Sequence, residues 1–145
     1  MKDKTVKQWF EAAVSNPDDK AFHVQLGCHL EEVCEMLECL DARDGYSKGI
    51  LLLALEGVER LADRLKRGEV ALTVNNRKEL LDSICDQQVT GVGVAHMLGM
   101  DIDGAMNEVN KSNWSKFVGG KPLFSEQGKI AKGPDYKAPE LERFV

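Results

Sequence analysis

Four glutamates crowd one stretch of this chain, and their spacing is the feature most suited to chemistry. In Gln25 to Leu40 (QLGCHLEEVCEMLECL), Leu26, Leu30, Val33, Leu37 and Leu40 recur at steps of four and three, which predicts one helical stripe. Glu31, Glu32, Glu35 and Glu38 lie between or beside those residues. Helix residues three or four apart are side-chain neighbours, so Glu32 and Glu35 point the same way, as do Glu31, Glu35 and Glu38. Two carboxylates about 4 Å apart repel by roughly 4 kcal/mol at the effective dielectric of a protein surface. No lysine or arginine occurs between His29 and Asp41 to relieve this. A bound divalent cation would supply the missing charge; a solvated acidic face is the plain alternative.

A second carboxylate stripe follows later in the chain. Asn76 and Glu79 have the N-x-x-E spacing of a capping box and open a predicted helix from about Arg77 to Leu98, with Gly99 as its C-cap. Glu79, Asp82 and Asp86 are spaced by three and four along it. Glu32 with Glu35 and Asp82 with Asp86, facing one another, would make an oxygen-only site of the kind hard cations such as Mg²⁺ or Mn²⁺ prefer. A di-iron carboxylate bundle would want Glu-x-x-His, and no glutamate here has a histidine three residues later. Magnesium leaves positions open for phosphate oxygens, for which Asn110, Lys111, Asn113 and Lys116 would supply donors.

The elements that must position these groups read as all-α. Residues 5 to 14 form a first helix, ended by Asn16-Pro17, with Trp9 assigned to the core rather than to a ligand pocket. Ser47 is placed to cap a third helix ending at Gly68. Its wide apolar face (Ile50, Leu51, Ala54, Leu55, Val58, Leu61, Ala62, Leu65) predicts burial. Its acids Glu56, Glu59 and Asp63 have Arg60, Arg64, Lys66 and Arg67 at hand to pair, so this helix reads as structural. The fourth helix offers Leu80, Leu81, Ile84, Val89, Val92 and Ala95 for burial. Gly91 and Gly93 within it cost about 1 kcal/mol each, which suggests close approach of another backbone, from this chain or a second subunit. Asp101 or Asp103 caps a fifth helix running to about Phe117. After Gly119-Gly120, PLFSEQGKIAKG reads as a short β-hairpin or extended arm, and KGPDYKAPELERFV as a tail lying over the domain. The expected architecture is a four- to five-helix bundle over residues 1–118, with residues 119–145 as the hairpin and tail packed on it.

Composition bounds the partners. A chain of 145 residues with 43 % apolar and 30 % charged residues suits one soluble domain with a real core. A net charge of −5 excludes a general binder of nucleic-acid polymers or membrane surfaces. No signal peptide or span-length apolar run is visible, and Cys28, Cys34, Cys39 and Cys85 show no C-x-x-C spacing. The cysteines read as small core residues in a reducing, cytoplasmic setting.

Four segments carry a resemblance. HLEEVCEML looks like the EE-x-x-E helix of the MazG-like and phosphoribosyl-ATP pyrophosphohydrolase-like superfamily of all-α nucleotide pyrophosphohydrolases. ELLDSICD resembles its second acidic motif, LGMDIDGAMNEVNKSNWSKF its asparagine- and lysine-bearing helix, and GKIAKGPDYKAPEL its tail. The resemblance implies Mg²⁺-dependent hydrolysis of a (deoxy)nucleoside triphosphate between the α and β phosphates, giving monophosphate and pyrophosphate. It implies Glu32 and Glu35 as metal ligands. The second motif departs from the pattern: Asp82 and Asp86 complete the metal set in the preferred register, and Glu79 with Asp82 in the other. Asn113 and Lys116 match phosphate-contacting positions, while Asn110 and Lys111 stand where a histidine-arginine pair is common. Glu31 or Glu38 would be the base toward water, and Lys116, helped by Lys132, would steady the leaving pyrophosphate. The resemblance also implies a homodimer or homotetramer. A phosphoribosyl-ATP-type activity and a non-catalytic helical interaction module are the alternatives.

Overall fold

The computed structural model describes residues 4–145, so residues 1 to 3, with which the expected helical domain opens, lie outside the described residues. The fold is all-α, as the spacing predicts. Its helices are α1 (Val6–Ala13), α2 (Asp19–Glu38), α3 (Gly45–Lys66), α4 (Arg77–Met97) and α5 (Ile102–Trp114). A C-terminal hairpin pairs β1 (Leu123–Phe124) with β2 (Ile130–Ala131), and a 3-10 turn, Glu142–Phe144, closes the chain. Two compact units result. One holds residues up to Ser15, Thr73–Leu123 and Ile130–Val145; the other holds Asn16–Leu72 and the hairpin tip, Phe124–Lys129.

In the first unit Trp9, Ala13 and Phe117 form a core, with Phe10, Val14, Trp114 and Ile130 packed against it. Trp9 is therefore core, and its indole N–H donates to the Asn113 carbonyl at 2.9 Å. Thr5 and Gln8 close a reciprocal capping box on α1. Asp101, not Asp103, caps α5 by accepting from Gly104 N–H. α5 stops at Trp114 rather than near Phe117 because Ser115 turns to the tail: its hydroxyl accepts from Lys137 N–H and donates to Ser112 O. Ser112 Oγ donates to Lys137 O, so the tail does lie along α5 as expected. The expected burial of α4 is not found. None of its residues is buried, and Leu81, Val89 and Met97 stand in the open, Met97 at 83 % exposure. Its apolar residues run around the helix instead of along one face, and of the helices in its unit it packs on α5. Among the described residues, no atom comes within 4 Å of a Cβ built on Gly91 or Gly93. The close backbone approach expected there, from this chain or a second subunit, is not made among the described residues.

The second unit is a helical hairpin. Asp18 caps α2 by accepting from Ala21 N–H. Asp44, not Ser47, caps α3: its carboxylate accepts from Ser47 N–H at 2.7 Å and from the Ser47 hydroxyl at 2.8 Å. An aspartate at that place both satisfies an orphan donor and sets negative charge at the helix start, so it takes the role from the serine. Val24, Cys34, Ala62 and Leu65 are buried between the helices, but Ile50, Leu52 and Leu53 are exposed. One covering helix shields one stripe, and the apolar arc of α3 is wider than that. His23 is buried, with its Nδ1–H donating to Asp19 O and its Nε2 accepting from Leu72 N–H, which ties down the chain leaving α3. The cysteines are only partly core. Cys34 is buried, Cys28 half-buried, Cys39 and Cys85 exposed, and all four thiols are free.

Close approach of α2 to α3 depends on Gly27. A Cβ there would meet Ala62 O at 2.8 Å and Lys66 Cγ at 2.7 Å. The lysine stem can swing away; the carbonyl is helix backbone and cannot. Gly27→Ala gains up to about 1 kcal/mol of helix propensity, against about 1–3 kcal/mol for overpacking. The variant is expected to be less stable by about 1–2 kcal/mol in urea melts, and a midpoint that held or rose would show that the helices part without cost.

Candidate functional site

The acidic face of α2 divides into a compensated and an uncompensated part. Glu31 is compensated. Its Oε1 accepts from Lys66 Nζ on α3 and its Oε2 from Lys129 Nζ in the hairpin tip, both at 2.8 Å. These bonds hold the Glu31 carboxyl below the usual glutamate range, the Lys129 bond being the larger cause, and they raise the Lys129 ammonium. The counter-charge missing between His29 and Asp41 thus comes, for Glu31, from two lysines distant in the chain. A carboxylate whose two oxygens both face ammonium groups is a weak base, which tells against the base role expected of it.

Glu32, Glu35 and Glu38 are exposed and make no ion pair among the described residues. A further carboxylate, Glu59 of α3, stands with them. Its neighbours Glu56 and Asp63 pair with Arg60 (2.6 Å) and Arg67 (3.1 Å), and Arg64 turns to Glu69 (3.0 Å). Glu59 has none of these partners. The buried Cys34 thiol reports the cluster: burial pushes its pKa up first, then the charges of Glu59, Glu38, Glu31 and Glu35. The pairing expected along α3 therefore holds for Glu56 and Asp63 and fails for Glu59. The signal was visible. The residues three and four away from Glu59 are Leu55, Glu56, Ala62 and Asp63, none of them basic.

The remaining candidates lie in the first unit. Asp82 and Asp86 are exposed on α4, and Asn76 accepts from Glu79 N–H as the cap of that helix. Asn110 Nδ2 donates to Lys4 O, while its Oδ1 is buried with no partner among the described residues. Asn113 gives its carbonyl to Trp9. Lys116 lies half-buried with its ammonium 5.7 Å from the Trp9 ring centre, and Lys132 lies 4.7 Å from that of Tyr136. Both ammonium groups thus lie near aromatic faces.

Among the described residues, no group of three or more His, Cys, Asp or Glu side chains is gathered closely enough to hold a metal ion. No helix among them is long and apolar enough to cross a membrane. Compared with known proteins, the chain matches no family model, no curated protein and no solved structure.

Proposed function

We propose that the chain is a metal-dependent nucleoside triphosphate pyrophosphohydrolase that cleaves the α–β phosphate bond of a (deoxy)nucleotide. The observation that carries this reading is the set of exposed carboxylates on α2, Glu32, Glu35 and Glu38, that make no ion pair among the described residues, in the segment that resembles the EE-x-x-E helix. Glu32 and Glu35 are the proposed ligands for Mg²⁺ or Mn²⁺, as a pair, since no third such side chain among the described residues is gathered with them. The donor chemistry fits, since every group is a hard carboxylate oxygen. The proposal for Asp82 and Asp86 rests on the sequence motif alone.

Bound there, the cation would neutralise phosphate charge and make a nearby water more acidic. The chain's own part is then divided by charge. Glu38, with no ammonium on its oxygens, is the proposed base toward water in preference to Glu31. The roles of Lys116 and Lys132 toward pyrophosphate, and of Asn110 and Asn113 toward the nucleotide, are proposed from the sequence alone. A second copy of the chain is the proposed partner, on the ground that the apolar residues of α4 and of the first half of α3 are uncovered. A cytoplasmic location is part of the same reading.

The test is product analysis over a panel of ribo- and deoxynucleoside triphosphates, with Mg²⁺ and with chelator. Monophosphate plus pyrophosphate, lost on chelation, is the expected result. Nucleoside diphosphate plus orthophosphate would overturn the reading. Absence of turnover would favour first a phosphoribosyl-ATP-type substrate and then the non-catalytic helical module, which the exposed apolar residues of α4 also suit.

A further inference from the structure

The hairpin tip, Phe124–Lys129, is a small closed loop. Ser125 N–H donates to Lys129 O at 2.8 Å, Gly128 N–H donates to Ser125 O at 2.9 Å, and Lys129 N–H donates to Ser125 Oγ at 3.1 Å. Gly128 supplies the left-handed backbone, φ +84°, that closes the turn. A loop so bonded to itself moves as one piece.

Within its unit the tip lies against the helical hairpin. Glu126 and Gln127 form one wall of a cavity of about 390 Å³, and α2 and α3 form the others through Lys20, His23, Val24 and Leu65. That volume falls in the range of about 300–1,000 Å³ that small-molecule sites occupy. An ion pair between Lys129 Nζ and Glu31 Oε2, 2.8 Å, joins this wall to α2. Beside it, a Cβ on Gly128 would only graze Lys20 Cε at 4.0 Å.

We propose that the tip is a strap along one side of the open cavity beside His23, latched by the Glu31–Lys129 ion pair, and that releasing the latch swings the strap away and widens the cavity. The fixed half of the latch is Glu31, pinned on its other oxygen by Lys66, whose side chain is 14 % exposed. The moving half is Lys129, 48 % exposed. An ion pair so open to water is weak and is screened by salt, so the strap is poised rather than locked.

Cys28 reports the latch with a sign that separates the outcomes. It lies one turn after Val24, a residue of the cavity wall. Burial raises the pKa of its half-buried thiol, while Lys129 and, to a smaller extent, Lys66 lower it. Alkylation by iodoacetamide follows the thiolate and its access. If the strap stays shut, Lys129→Met removes a favourable charge and Cys28 reacts more slowly. If the strap opens, burial is relieved and Cys28 reacts faster. The expected result, resolved by peptide mass, is at least a threefold acceleration at Cys28 in Lys129→Met, with exposed Cys85 unchanged. The native chain should show an acceleration of the same sign at 1 M salt. Lys66→Met, which removes a like charge but leaves the latch, should slow Cys28. Slower or unchanged labelling in Lys129→Met would overturn the proposal.

Discussion

Leu65→Ala is expected to destabilise the chain by about 2–5 kcal/mol, a large part of the about 5–15 kcal/mol that holds a typical domain together. Leu65 is the one large side chain in the second unit that is fully enclosed, at 0 % exposure. The other buried side chains of the unit are small or polar: His23, Val24, Cys34 and Ala62. Removing the Leu65 side chain therefore takes away the largest fully buried apolar group the unit has. Leu53→Ala is the matched comparison. Leu53 lies on the same helix at 69 % exposure and should cost less than about 0.5 kcal/mol. Denaturant melts of both variants at low protein concentration check this. Equal losses would show that the open face of α3 is covered in solution, and that the helical hairpin is not stabilised chiefly by its own core.

How far the chain was legible depends on the range of the interaction. Local signals read well. The helices, the Asn76 cap and the C-terminal hairpin all follow from residues within a turn or two of one another. The cap of α5 stayed open between Asp101 and Asp103 until the backbone showed Asp101 accepting from Gly104 N–H. Competition between near-equal local signals read less well. Asp44 and Ser47 are both good caps, and only the folded backbone shows that Asp44 takes the position while Ser47 donates to it. Burial read worst. The apolar residues of α4 and of the first half of α3 are as hydrophobic as any core, but hydrophobicity does not say how much covering surface one chain can provide.

The candidate site divides along the same line. The crowding of Glu31, Glu32, Glu35 and Glu38 is local and was plain in the sequence. The neutralisation of Glu31 was not, because Lys66 is 35 residues away and Lys129 is 98. No spacing rule reaches that far. Glu59 is the opposite case, a residue passed over although its lack of a basic neighbour was in plain view. A helix that looks paired on average can still carry one carboxylate that is not.

Glu35→Gln should abolish metal-dependent turnover while leaving the fold intact. The substitution keeps the shape of the side chain and removes its charge, so a proposed ligand oxygen becomes a poor one. Loss of an outer-shell partner typically lowers metal affinity or activity about 10–100-fold, and loss of a ligand itself should exceed that. Stability should move the other way. Glu35 is exposed, has no ion pair among the described residues, and sits one turn from Glu31, Glu32 and Glu38. Relief of like-charge contacts is worth about 0.2–0.5 kcal/mol per pair, so the metal-free variant should melt at or slightly above the parent. Glu31→Gln inverts both results. It breaks the bonds to Lys66 and Lys129 and should lower the melting point, yet it should retain turnover if Glu38 is the base. Measuring turnover and melting on the same two proteins therefore separates a ligand from a latch. Full activity in Glu35→Gln would sink the metal assignment. Loss of activity in Glu31→Gln, with a melting point still at the parent's, would return the base role to Glu31.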